Sequence, residues 1–211
     1  RDSNSTATRE GAELSKIYMV GNILMDTLRF NHSRLQRPAV LDELGVREGE
    51  YIVFTLNRKA LLADKANLKD MLHAMLDKAG DKMVLAPLRS RSAAFVAELL
   101  GANHPTFKLI KPLSYLQFGY LTAHACGVIT DSGNVAEEAT FNNIPCITLN
   151  SYTEHIETVK VGSNVLVGED SRLLGKAVED MVNGTWKKCA IPDRWDGRSA
   201  ERIVQILLEQ P

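Results

Sequence analysis

Short, continuous runs of apolar residues alternate along the chain with longer segments in which apolar residues recur every three or four positions. A continuous apolar run is typical of a strand in a parallel sheet whose two faces are both covered. The runs predict seven strands, which lie at 17–20, 51–55, 82–86, 107–110, 127–130, 145–149 and 164–167.

The segments between these runs predict helices with recognisable ends. In 64–80 the apolar residues follow the helical period, Asp64 is the expected N-cap and Gly80 the expected stop. Four further helical segments are expected at 90–101, 113–127, 170–184 and 197–210. The alternation predicts an α/β domain built on a doubly wound, Rossmann-like parallel sheet. In such a sheet ligands bind beyond the carboxyl ends of the strands, so we expect function in the loops that follow them.

Length and charge narrow the range of functions. A chain of 211 residues is long enough for one domain, or for one domain and a small part of another. Its 25 basic and 26 acidic side chains nearly cancel, so no broad positive field is present for nucleic acid or an anionic membrane. No apolar run approaches the roughly 20 residues of a membrane span. We therefore predict neither nucleic acid nor membrane as a partner.

The cysteines predict the redox compartment, and the polar start of the chain predicts a domain boundary. Three widely spaced cysteines without a CxxC pair argue against a disulfide framework or a zinc site, and they fit a reducing cytoplasm. Residues 1–16 are polar and do not begin a domain well, so we interpret them as an interdomain remnant and place the domain at 17–211. This pattern favours the second half of a larger protein.

The most informative stretch is 129–149, which reads as a strand, a polar turn, a helix and another strand. The turn Asp131-Ser132-Gly133-Asn134 is expected to lead into a helix from about Val135. Unpaired N–H groups and the helix dipole at that start attract phosphate, and Gly133 lets the backbone approach closely. The alternative is an ordinary capped turn. Two adjacent carboxylates follow, Glu137 and Glu138, and would repel a phosphate unless one faces elsewhere, for example toward ribose hydroxyls.

The run TDSGNVAEEA, followed by NIPCITL and TEHIETVKVGSNVLVG, resembles the C-terminal half of the non-hydrolysing UDP-N-acetylglucosamine 2-epimerases. The segments VGNILMDTL, PLSYLQFGYL and WDGRSAERIV match other motifs of that family in the expected order. The resemblance implies one half of a two-domain fold like that of the B-type glycosyltransferases, with the active site between the domains. This chain would be the nucleotide-binding domain, without the N-terminal one.

The resemblance also implies site roles, residue by residue. Ser132 and Gly133 would hold the diphosphate of UDP or a UDP-N-acetylhexosamine through hydroxyl and backbone N–H, with Asn134 in the same turn. Glu138 would accept hydrogen bonds from the ribose hydroxyls. Glu137 is as well explained by a solvated position on the helix.

Four further residues complete the implied binding set. Arg58 and Arg89 would face the phosphates, and Phe118 would lie near the uracil, with core packing as an equal alternative. Glu154 matches a segment that closes over the sugar or orders the cleft. The resemblance implies no metal and no redox cofactor, and a homodimer for the full-length protein.

Departures from the family pattern leave the catalytic residue unknown. Asn57 stands where the family has a histidine, and an amide cannot titrate, so any acid–base role of that histidine is lost. Arg89 replaces a second family histidine and keeps positive charge near the phosphates. Asn134 replaces a glycine and is tolerated at left-handed dihedrals.

Three functions remain open from the sequence. The first is the domain of an epimerase that eliminates and re-adds UDP, inactive as a fragment. The second is a non-catalytic UDP-sugar-binding module, and the third is the nucleotide-binding half of a glycosyltransferase.

Overall fold

A computed structural model describes residues 23–101, 104–153, 156–193, 195 and 198–209. The strand expected at 17–20 lies outside these residues. The other six expected strands are confirmed to within one residue at either end. They are β1 (Tyr51–Phe54), β2 (Met83–Pro87), β3 (Phe107–Ile110), β4 (Gly127–Thr130), β5 (Cys146–Thr148) and β6 (Asn164–Leu166).

The six strands form one parallel sheet in the order β3-β2-β1-β4-β5-β6. The chain therefore builds outward from β1 in one direction, returns to the centre, and builds outward from β4 in the other. In register, Val53 of β1 lies beside Leu85 of β2 on one side and Val128 of β4 on the other. This is the doubly wound topology that the sequence predicts.

Helices connect each pair of consecutive strands, as expected for parallel crossovers, and others precede β1 and follow β6. They are α1 (Ile23–Asn31), α2 (Ala39–Glu43), α3 (Lys59–Ala63), α4 (Lys65–Ala79), α5 (Ser90–Leu100), α6 (Tyr115–Ala123), α7 (Gly133–Phe141), α8 (Ile156–Lys160), α9 (Ser171–Asn183) and α10 (Ser199–Glu209). A single 3₁₀ turn, His32–Arg34, follows α1. Among the described residues, no helix combines the length and the apolar character that crossing a membrane requires.

Helix ends follow the local chemistry that the sequence indicates. The Asp64 carboxylate accepts the Asn67 N–H at 3.2 Å and caps α4, which ends before Gly80 at φ 59°. Asp170 caps α9 in the same way, and Gly184 ends it in the left-handed region. Such a cap contributes about 1 kcal/mol because it satisfies N–H groups that the helix itself cannot.

The apolar runs are continuous because consecutive residues of a strand enter two different cores. Ile52 and Phe54 of β1 pack in the core on one face of the sheet, beneath α4 and α9. Tyr51 and Val53 pack in a second core on the other face, with Leu121 of α6. All four β1 residues are buried. Burying one such side chain contributes about 1.5–3 kcal/mol, so the central strands are firmly held.

The chain divides into two compact units. The larger is Leu35–Ala190 and contains the six-stranded sheet. The smaller combines the described residues before Leu35 with those after Ala190. Within the smaller unit, the Asp26 carboxylate accepts the backbone N–H groups of Ser199 at 2.9 Å and Ala200 at 2.7 Å. An aspartate of α1 thus caps α10 from the other end of the chain. A single domain over 17–211 stays a prediction.

Candidate nucleotide site

The order of the strands reverses between β1 and β4, and the two strands end side by side. The Thr55 backbone N–H donates to the Ile129 carbonyl at 2.9 Å, and the hydroxyls of Thr55 and Thr130 lie 2.7 Å apart. Beyond these threonines the two loops leave the same edge of the sheet toward opposite faces. Such a switch point is where a doubly wound sheet has room for a ligand.

Helix α7 begins at this edge, two residues earlier than expected. Its first residue is Gly133, so the expected turn over 131–134 is wrong in its second half, and Asn134 is an exposed residue of the first helical turn. Asn134 does not use left-handed dihedrals, since Asn143 is the one non-glycine residue with positive φ among those described. The first turn of α7 therefore starts directly after Ser132.

Ser132 is the N-cap of α7 but does not cap it with its side chain. Its backbone N–H donates to the Thr130 hydroxyl at 3.0 Å, so that N–H belongs to the fold rather than to a ligand. The first intrahelical bond runs from the Ala136 N–H to the Ser132 carbonyl. By helix geometry the N–H groups of Gly133, Asn134 and Val135 have no acceptor within the helix. They present the positive end of the helix dipole at the switch point.

Asp131 joins three loops at the same edge. One carboxylate oxygen accepts the backbone N–H groups of Asn57 at 2.9 Å and Arg58 at 2.7 Å. The Asn150 side-chain amide, after β5, donates to the Asp131 carbonyl at 3.2 Å, and the Arg58 guanidinium donates to the amide oxygen of Asn150. Sequence reasoning treated Asp131 as a turn residue and missed Asn150. The sequence signal that could have indicated a structural role for Asp131 is its position directly after a buried strand, where a carboxylate needs hydrogen-bond donors.

The two glutamates of α7 have different environments. Glu137 is buried, with 5% of its surface exposed, so the alternative of a solvated helix position is wrong. Glu138 is partly buried, and burial, followed by the charge of Glu137, raises its pKa from 4.5 to about 7. A carboxyl group whose pKa is raised by burial and by a neighbouring charge is a common feature of functional sites.

The other residues predicted to bind the ligand are Arg89, Phe118 and Glu154. Exposed Arg89 is the N-cap residue of α5, after β2, one strand away from the switch point. Phe118 of α6 packs partly buried against the core cluster that contains Tyr51, which supports the packing role. A contact between Phe118 and uracil stays a prediction. Glu154 lies outside the described residues.

Arg58, Ser132, Gly133 and Asn134 are thus brought to one edge of the sheet, with Asn57 beside them. Within the described ranges, histidine, cysteine, aspartate and glutamate side chains form no group of three or more that could hold a metal ion.

Comparison with known proteins decides the family. The protein-family model for UDP-N-acetylglucosamine 2-epimerase matches residues 1–208. The UDP-N-acetylglucosamine 2-epimerase of Methanocaldococcus jannaschii is 35% identical in an alignment of 212 positions that covers 94% of this chain. This chain belongs to the UDP-N-acetylglucosamine 2-epimerase family. It spans 56% of the length of that relative.

Solved structures of the family share the fold. The crystal structure of the Methanocaldococcus jannaschii epimerase in complex with UDP-GlcNAc and UDP is 32% identical, with a TM-score of 0.75 over 99% of this chain and 59% of that one. The glycosyltransferase VinC, in complex with dTDP, is 16% identical, with a TM-score of 0.52 over 84% of this chain and 41% of its own. This second likeness shows the fold alone, that of the B-type glycosyltransferases.

The raised pKa of Glu138 predicts a pH-dependent stability. The folded state binds the Glu138 proton more tightly than the unfolded state, so stability falls as pH rises from 4.5 to about 7 and the loss is complete above that. A shift of this size corresponds to about 3 kcal/mol. Glu138→Gln removes the loss, so the variant should gain about 2–3 kcal/mol over the original protein between pH 5 and pH 8, measured by urea unfolding.

The control is Glu98→Gln, which neutralises an exposed glutamate of α5. It should track the original protein across the same pH range. A Glu138→Gln profile parallel to both would show that Glu138 is ordinarily ionised in the folded protein.

Proposed function

We propose that this chain is the UDP-binding half of an epimerase that inverts carbon 2 of a UDP-N-acetylhexosamine. The observation that carries the proposal is the start of α7 at the switch point. The N-cap residue there is a serine whose side chain makes no capping hydrogen bond. Its hydroxyl and the N–H groups of the first turn suit a diphosphate. Membership in the epimerase family supports UDP as the ligand, as does the complex of the archaeal relative with UDP-GlcNAc and UDP.

The proposed reaction removes UDP and adds it back. A base takes the C2 proton while the C1–O bond breaks, and the electron pair of that bond leaves with the diphosphate. UDP then adds to C1 of the unsaturated sugar while C2 receives a proton on the other face. The step needs no redox cofactor, since nothing is oxidised or reduced overall. It needs stabilisation of the leaving diphosphate and acid–base groups that flank C2.

This chain would stabilise the leaving diphosphate. The α7 start and the Ser132 hydroxyl would contact the diphosphate, with Arg58 and Arg89 adding positive charge. Glu138, one turn further along α7, would accept the ribose hydroxyls. The acid–base groups would come from the part of the relatives that this chain does not span. A homodimer and a cytoplasmic location stay predictions.

A test of the phosphate assignment compares matched substitutions at two helix starts. Gly133→Val places a branched side chain on the first residue of α7, and Ser171→Val does the same on α9, after edge strand β6. We expect the original chain to bind UDP with a Kd on the order of 0.1–1 mM. Gly133→Val should weaken UDP about tenfold or more by blocking backbone approach, as measured by calorimetry.

Ser171→Val should leave UDP affinity unchanged. Thermal unfolding of both variants establishes that each is folded. If a folded Gly133→Val binds UDP as well as the original chain does, the phosphate lies elsewhere.

A second candidate function is a binding module without catalysis, and Asn57 favours it. Asn57 stands in the position of the family histidine, is exposed, and contributes its backbone N–H to Asp131. Deuterium exchange at C2 of UDP-N-acetylglucosamine in D₂O separates the two functions. The chain alone should incorporate none, because it lacks the groups proposed to flank C2, and incorporation would contradict the proposed division of labour.

The choice between the two functions is tested with a chimera, which joins this chain to the half of the Methanocaldococcus jannaschii relative that it does not match. Exchange by the chimera supports a catalytic role. An inert chimera that gains exchange with Asn57→His supports the binding module.

A further inference from the structure

The Asp131 carboxylate is buried at the switch point, with 6% of the residue exposed. A single oxygen of that carboxylate accepts two consecutive backbone N–H groups, those of Asn57 and Arg58. Hydrogen bonds to a carboxylate are about twice as strong as those between neutral groups. Because Asp131 directly precedes Ser132, the same residue that fixes the loop after β1 also begins the phosphate turn after β4.

The loop after β1 leads into α3 without a side-chain cap from its own N-cap residue. Arg58 is the N-cap residue of α3, and its side chain makes no cap hydrogen bond. The N–H groups at that point are satisfied instead by a residue 73 positions further along the chain. The position of the Arg58 backbone is therefore set from β4 rather than by its own helix.

The Arg58 side chain is held at its other end. Its guanidinium donates to the Asn150 amide oxygen, and the Asn150 amide nitrogen donates to the Asp131 carbonyl at 3.2 Å. The Asn150 carbonyl in turn accepts the Gly168 N–H at 3.0 Å, which fixes the loop after β5 to the loop after β6. The Arg58 backbone is thus held by the Asp131 carboxylate, and its guanidinium is held by Asn150, which is itself bonded to the Asp131 main-chain carbonyl.

We propose that Asp131 is a positioning residue for the nucleotide, which holds Arg58 ready beside the phosphate-binding start of α7. An exposed arginine loses rotamer freedom when it contacts a ligand, and a side chain fixed beforehand loses less. The accepting oxygen of Asp131 faces the 57–58 backbone, so the proposed role runs through Arg58 rather than through contact of that oxygen with UDP. The inference rests on the proposed function, because Arg58 needs a diphosphate to face.

A double-mutant cycle tests whether Asp131 acts through Arg58. UDP affinity is measured by calorimetry for the 211-residue chain, for Asp131→Asn, for Arg58→Ala and for both together. Asp131→Asn keeps an acceptor oxygen but loses the charge, and it should weaken UDP about fivefold. Arg58→Ala should weaken UDP about tenfold. With Arg58 already removed, Asp131→Asn should change the affinity less than about twofold.

The matched control is Asp170→Asn. Asp170 also accepts two backbone N–H groups at a helix start, those of Arg172 and Leu173, but it follows the edge strand β6. This variant should lose stability without losing UDP affinity. If Asp131→Asn fails to fold, Asn150→Ala removes the other support of Arg58, the bond between its guanidinium and the Asn150 amide oxygen. It should weaken UDP in the presence of Arg58 and have almost no effect when Arg58 is absent.

Two failures are distinguishable. If the original chain binds UDP and the effects of Asp131→Asn and Arg58→Ala multiply, Asp131 does not act through Arg58 and the inference is overturned alone. If the original chain does not bind UDP at all, the proposed function fails and the inference fails with it.

Discussion

The pairing of β1 with β4 is the interaction on which the candidate site depends. These strands are far apart in sequence, yet Val53 lies beside Val128 at the centre of the sheet, buried on both faces. Their pairing brings the loops after Thr55 and Thr130 to one edge and sends them in opposite directions. The start of α7, the Arg58 loop and the Asp131 carboxylate meet only because of this pairing. A change that loosened β1 from β4 would separate all three.

Charge is arranged locally at this edge rather than across the whole surface. The chain carries a net charge of −1, so a dianionic ligand gains little from its overall field. The positive potential comes from the start of α7 and from Arg58, while the Asp131 carboxylate is occupied by two N–H groups. Glu138 lies one turn into the same helix with its pKa raised to about 7 by burial. Near neutral pH it therefore adds less negative charge beside the start of α7 than an exposed glutamate would.

Sequence reasoning predicted the elements well because their signals are local. Apolar runs located six strands, and Asp64 and Gly184 marked helix ends to within one residue, whereas the helix expected to reach Gly127 ends at Ala123. The start of α7 was placed too late because Asp, Ser, Gly and Asn are all turn formers, whereas in the fold Gly133 and Asn134 take helical dihedrals. The Asp131 connection was missed because its partners lie 73 and 74 positions away. The sequence left a solvated position for Glu137 as an equal alternative, and it is excluded because α7 packs on the sheet and buries this side chain.

The central claim is that this chain recognises uridine diphosphate with α7, the helix start on the phosphates and Glu138 on the ribose. Titration of UDP and of 2′,3′-dideoxy-UDP against the original chain and against Glu138→Gln at pH 8 tests it most directly. The account predicts that Glu138→Gln weakens UDP about tenfold or more, the loss of a hydrogen bond to a charged group, and leaves the dideoxy analogue unaffected. Equal changes for the two ligands, or a small equal gain from the lost negative charge, would contradict it.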